Sequence, residues 1–111
     1  EHTLSAEYNI AHGAGLSIIM PAWMKWQKQF LPERFERFAK VMFNTGSADD
    51  GIEALRNWYI KIGAPVTLKE GNIPEKDIPL LVEKLLAIAK MWGAESLYTK
   101  EMITTVLENA K

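Results

Sequence analysis

Apolar residues in this 111-residue chain recur at intervals of three and four in five or six separate runs. Nowhere do apolar and polar residues alternate long enough to build a strand. Such spacing confines the chain to helices, with glycine and proline setting where each must stop. The expected class is all-α, a bundle-like single domain over residues 1–111.

The first run reaches about Ile10 and stops at Ala11-His12-Gly13, which puts His12 at a helix junction. The second runs from about Ala14 to Phe30. Leu16, Ile19, Met20, Trp23, Gln27 and Phe30 follow one face of it, while Ile18, Met24 and Trp26 make another face apolar, so a central position is expected. Pro21 removes a backbone donor inside this run and predicts a kink or break near Ser17 to Pro21. Pro32 suits the first turn of a third helix, striped by Phe35, Phe38, Ala39 and Met42 and ended at Asn44-Thr45-Gly46.

Ser47 is a good N-cap, Asp49 and Asp50 offset the helix dipole, and Ile52, Leu55, Tyr59 and Ile62 continue as a stripe to Gly63. Ala64 to Pro74 has no clear period and reads as a surface loop. Ile78, Leu81, Val82, Leu85, Leu86, Ala89 and Trp92 then mark an amphipathic helix that Gly93 ends. Thr99 caps a last helix that buries Ile103, Val106, Leu107 and Ala110.

Thirteen basic and fourteen acidic residues leave a formal charge of −1, with no basic stripe to neutralise phosphates, so nucleic acid is not an expected partner. The densest apolar stretch, Leu16 to Met24, falls well short of the roughly 20 residues of a membrane span, and no membrane partner is expected either. The absence of cysteine removes disulfides and thiolate chemistry together, which fits a cytoplasmic location. No charged segment followed by an apolar stretch and a cleavage site is read at the start of the chain, so secretion is not expected. It begins without Met, and only Glu1 and His2 precede the helical pattern of Thr3 to Tyr8, so a longer parent protein is expected.

The residues that could carry chemistry are few. His2 and His12 lie ten positions apart, which on one unbroken helix is about 15 Å along the axis and some 80° in direction. They could not then share a metal as neighbours on one helix face, and two histidines fall short of the three protein ligands of a typical catalytic site. On spacing alone, structural or exposed histidines are the favoured reading. Gly13-Ala14-Gly15 lacks the strand and third glycine of a dinucleotide fingerprint, and no HExxH, GxSxG or Walker loop occurs. Trp23, Trp26, Phe30, Phe35 and Phe38 read as core rather than a binding face. Lys69-Glu70 and Glu75-Lys76-Asp77 read as a solvated loop edge.

One stretch changes that balance. Glu1 to Trp26 carries the pattern EHxLSAxYxIxHGxGLxIxxPxWM through Glu1, His2, Leu4, Ser5, Ala6, Tyr8, Ile10, His12, Gly13, Gly15, Leu16, Ile18, Pro21, Trp23 and Met24. It resembles the butanol dehydrogenase and NAD(P)H-dependent aldehyde reductase branch of the iron-containing alcohol dehydrogenases. Arg56, Trp58-Tyr59 and Gly63-Ala64-Pro65 extend the likeness more loosely toward the C-terminus.

The resemblance implies the all-helical C-terminal domain of a dehydroquinate synthase-like fold, with an N-terminal nucleotide-binding domain upstream. It implies that His12 binds the catalytic metal, Fe²⁺ or another divalent ion such as Zn²⁺. It implies that His2 lines the cleft beside the nicotinamide of NAD(P)H and the substrate, as a cofactor-binding residue and a catalytic candidate in the proton path. The remaining family ligands, an Asp and a His separated by three residues and a further His four positions before His2, would lie upstream of Glu1. The implied reaction interconverts primary alcohols and aldehydes by metal-assisted hydride transfer in a homo-oligomeric full-length enzyme, with this piece inactive alone. Apolar residues facing the upstream domain would then be exposed here. Two other readings remain open at this point, an independent helical interaction module and a non-catalytic family member.

Overall fold

The computed structural model describes all 111 residues as six α-helices and one short 3₁₀ turn, with no strand. The helices are α1 (His2–Tyr8), α2 (His12–Gln27), α3 (Pro32–Phe43), α4 (Ala48–Lys61), α5 (Ile78–Met91) and α6 (Lys100–Asn109), with the 3₁₀ turn at Glu75–Asp77 ahead of α5. The shortest dimension, 20 Å, corresponds to about two helix diameters, so the helices lie two deep. None is long and apolar enough to cross a membrane.

Capping chemistry sets the boundaries. The Ser47 hydroxyl accepts from the Asp50 amide and the Thr99 hydroxyl from the Met102 amide, contacts of a kind that stabilise a helix start by about 1 kcal/mol. Asn44 ends α3 in the left-handed region, and Gly63, at φ 83°, does so just past α4, as its position after the last apolar residue predicts. Pro21 is buried inside α2, yet α2 runs unbroken through it. Of the kink or break expected near Ser17 to Pro21, the break does not occur. Beside it, the buried Ser17 hydroxyl donates to the Ala14 carbonyl at 3.0 Å and also contacts the Pro65 carbonyl, so α2 is tied to the loop after α4.

The main core joins Leu4 of α1 and Ile18 and Ala22 of α2 to Leu81 and Val82 of α5 and Ile103, Val106 and Leu107 of α6. A smaller cluster of Met24, Phe35 and Ile52 joins α2 to the α3–α4 pair. α2 contacts α1, α4 and α6, which gives it the central position its two apolar faces predict. Its buried side, however, is Ser17, Ile18, Pro21, Ala22 and Met24, whereas Met20, Trp23 and Phe30 are exposed.

Residues 64–74 depart furthest from expectation. They have no helical period, but Val66, Leu68 and Ile73 are buried, and the Leu68 amide donates to the Ala110 carbonyl at 2.8 Å. A Cβ at Gly71 would stand 2.7 Å from Ile18 Cδ1, so this segment threads the core instead of lying over it. The apolar stripes also promise more burial than occurs. Met42, Ile62 and Trp92 continue them but are exposed, as are Met91, Leu97 and Tyr98.

Candidate metal centre

His2 and His12 each open a helix, and the chain between them determines whether they meet. Asn9 adopts φ 53° and ψ 39°, the left-handed conformation that Asn tolerates better than other side-chain-bearing residues. The ladder of α1 therefore stops one turn before the glycine that the sequence marks, and Ile10 and Ala11 carry the chain round to start α2 at His12. The ten-residue separation along a continuous helix never arises. The two imidazoles instead lie parallel, 3° apart in plane, with ring centroids 5.1 Å apart.

Glu1 completes the cluster. One ligating atom from each of Glu1, His2 and His12 falls within 4.8 Å of the others. Oε2 of Glu1 is hydrogen-bonded to Nδ1 of His12 and lies 3.6 Å from Nδ1 of His2, and the Ser5 hydroxyl donates to Oε1. The Glu1 side chain is only 5% exposed, against 57% for His12 and 84% for His2. Burial pushes the Glu1 carboxyl up, but the hydrogen bonds from Ser5 and His12 and nearby positive charge outweigh it and hold the group below its ordinary value. An ionised carboxylate thus sits beneath two solvent-facing imidazoles.

Imidazole nitrogen suits Fe²⁺ or Zn²⁺, so the solvent-facing His12 ring fits a divalent ion. His12 offers Nε2, which makes no hydrogen bond within the chain. A pocket of about 250 Å³ opens beside His2, walled by Thr3, Leu85, Ala89, Trp92, Tyr98 and Ile103. Its walls are mainly apolar, which suits a small organic molecule with a short hydrocarbon part. A larger groove of about 670 Å³ between α5 and α6 contains neither imidazole.

Both histidines singled out in the sequence thus come together in one side-chain cluster. Glu1 and Ser5 enter the sequence pattern only as motif positions and Trp92 only as part of a helical stripe, and neither they nor Tyr98 are marked there as site residues. Glu1 and Ser5 stand four apart within the matched motif, one turn of helix, and that spacing is the signal that could have paired them.

The whole chain, residues 1–111, matches the family model described as "Fe-containing alcohol dehydrogenase family, C-terminal". The crystal structure of NADH-dependent butanol dehydrogenase A from Thermotoga maritima superposes with a TM-score of 0.89 at 42% identity, covering 98% of this chain and 31% of that one. "Probable NADH-dependent butanol dehydrogenase 1" of Bacillus subtilis is 29% identical over 116 residues, covering 97% of this chain and 30% of that protein. Lactaldehyde reductase of Escherichia coli is 30% identical over 95 residues, covering 77% and 24%. The chain spans about a third of the length of these relatives.

Proposed function

The chain belongs to the iron-containing alcohol dehydrogenase family, as its C-terminal domain, and from that premise we propose that it forms the metal-binding wall of an active-site cleft. The other wall is an N-terminal nucleotide-binding domain, and the two together interconvert primary alcohols and aldehydes with NAD(P). The observation that carries this reading is the meeting of His2 and His12 over a buried carboxylate, with His2 and Glu1 also lining an apolar pocket.

In this reading His12 binds Fe²⁺ or another divalent ion through Nε2, with further ligands supplied from outside this chain. When bound, the ion supplies Lewis-acid stabilisation of charge on the substrate oxygen, and the nicotinamide supplies or accepts the hydride. His2, the more exposed imidazole, stands between the pocket and solvent and holds or passes the proton that the interconversion requires. Leu85, Ala89, Trp92 and Ile103 pack around the hydrocarbon part of the substrate and keep water from it. With one wall and an incomplete ligand set, the chain alone is inactive.

Butyraldehyde reduction by the protein carrying its nucleotide-binding domain tests this reading. His12→Ala should lower kcat/KM on the order of 10³-fold, the loss of several kcal/mol of charge stabilisation. Activity within tenfold of the unsubstituted protein would refute the role given to His12.

A further inference from the structure

We infer that Glu1 is a positioning residue for His12: it holds the imidazole as the Nδ1–H tautomer, so that Nε2 is the nitrogen free to meet a divalent cation. The inference rests on His12 being the ligand.

Four observations support it. The Glu1 carboxylate is buried while both imidazoles are open to solvent, and a buried charge persists only where it is paired and hydrogen-bonded. Its two oxygens have separate partners, the Ser5 hydroxyl on Oε1 and His12 Nδ1 on Oε2. An ionised carboxylate only accepts, so the shared proton resides on the nitrogen. In a neutral imidazole that leaves Nε2 bare.

The first turn of α2 is shaped around the same carboxylate. A Cβ at Gly15 would stand 2.1 Å from Glu1 Oε1 and 2.6 Å from Cδ, so the glycine leaves the space that the carboxylate fills. His2 does not compete for it, because 3.6 Å from its Nδ1 to Oε2 lies beyond hydrogen-bond range.

Glu1 is poorly placed to be a ligand beside His12. Ions of this class hold nitrogen and oxygen ligands at about 2.0–2.2 Å, which keeps two ligand atoms roughly 3 Å apart. Hydrogen-bond contact with Nδ1 instead occupies the carboxylate oxygen and the nitrogen with each other. A carboxylate behind the imidazole orients the ring and raises its basicity, and losing such a partner typically costs 10–100-fold in metal affinity.

The test is a long-range ¹H–¹⁵N correlation spectrum of histidine-labelled chain at pH 9, above the titration range of ordinary imidazoles. His12 should show a protonated Nδ1 and a bare Nε2. Glu1→Ala should move His12 to the Nε2–H form that free imidazole prefers in water, and Glu1→Gln, which keeps an acceptor, should restore Nδ1–H. Gly15→Ala, which displaces the carboxylate, should act like Glu1→Ala. A protonated Nε2 in the unsubstituted chain overturns the proposal, as does a tautomer unchanged in Glu1→Ala. The first result needs no variant, so a substitution that fails to fold leaves the proposal testable. Metal retained by His12→Ala in the two-domain protein would remove the ligand assignment while leaving the tautomer result intact.

Discussion

Replacing Gly51 by alanine should destabilise the domain, although the same change at Gly13 should not. Gly51 faces Ala39 where α4 crosses α3, and an added Cβ would lie 2.3 Å from the Ala39 Cβ and 2.7 Å from its Cα. That is about 1 Å inside ordinary van der Waals contact, and neither Ala39 atom belongs to a flexible side chain that can swing away. The two helices must part, which loosens Phe35 and Ile52 in the small cluster they share with Met24. Overpacking of this kind costs about 3 kcal/mol at its upper range, and the gain in helix propensity from Gly to Ala returns about 1 kcal/mol. The net loss is about 2 kcal/mol, or a fall in Tm of about 8 °C for a domain of this size. Gly13 is the control, because a Cβ there meets nothing within 4 Å. Gly13→Ala should raise Tm slightly, following helix propensity alone. Thermal melts followed by far-UV circular dichroism would decide it. Gly51→Ala melting at or above the unsubstituted chain would show that α3 and α4 are not packed as closely as described.

Two further predictions concern the loop and α1. Leu68→Ala should cost about 2–5 kcal/mol in urea unfolding, because Leu68 is fully buried in a segment without secondary structure, whereas Leu97→Ala, at an exposed site, should stay within about 0.5 kcal/mol. Equal costs would contradict the threading of residues 64–74 through the core. The Tyr8 hydroxyl donates to Asp77 at 2.8 Å, and burial together with that carboxylate pushes the phenol from 10.0 up to about 12. The folded state therefore favours the neutral phenol, so this contribution is complete below pH 10 and is lost as pH rises toward 12. Allowing for solvent screening, it amounts to about 1 kcal/mol. Tyr8→Phe should be less stable at pH 8 and lack the decline between pH 10 and 12; an identical alkaline slope in both chains would refute the link.

The helices were legible because local chemistry marks their ends. Ser47 and Thr99 cap where their side chains predict, and Gly63 and Gly93 take positive φ just beyond the last apolar residues. Segment 64–74 was not, since its burial comes from long-range partners, Ile18 and Ala110, that no periodicity encodes. Exposed Met42, Ile62 and Trp92 show a related limit, because a stripe reports an apolar face without saying what covers it. At the site, His2 and His12 were identifiable as residues but not as neighbours. Their meeting depends on one left-handed Asn9, and asparagine signals that conformation far less strongly than glycine does. Glu1 was legible only in part: its four-residue spacing from Ser5 pairs the two on one helical turn, but spacing carries no record of the burial of the carboxylate.

We propose above all that His12 holds the metal. Elemental analysis of the two-domain protein after purification with Fe²⁺ or Zn²⁺ tests it most directly, with His2→Ala alongside as the control that removes the neighbouring imidazole. His12→Ala should fall from about one bound ion per chain to below about a tenth of that, whereas His2→Ala should keep its metal while losing turnover. Full metal occupancy in His12→Ala would contradict the account.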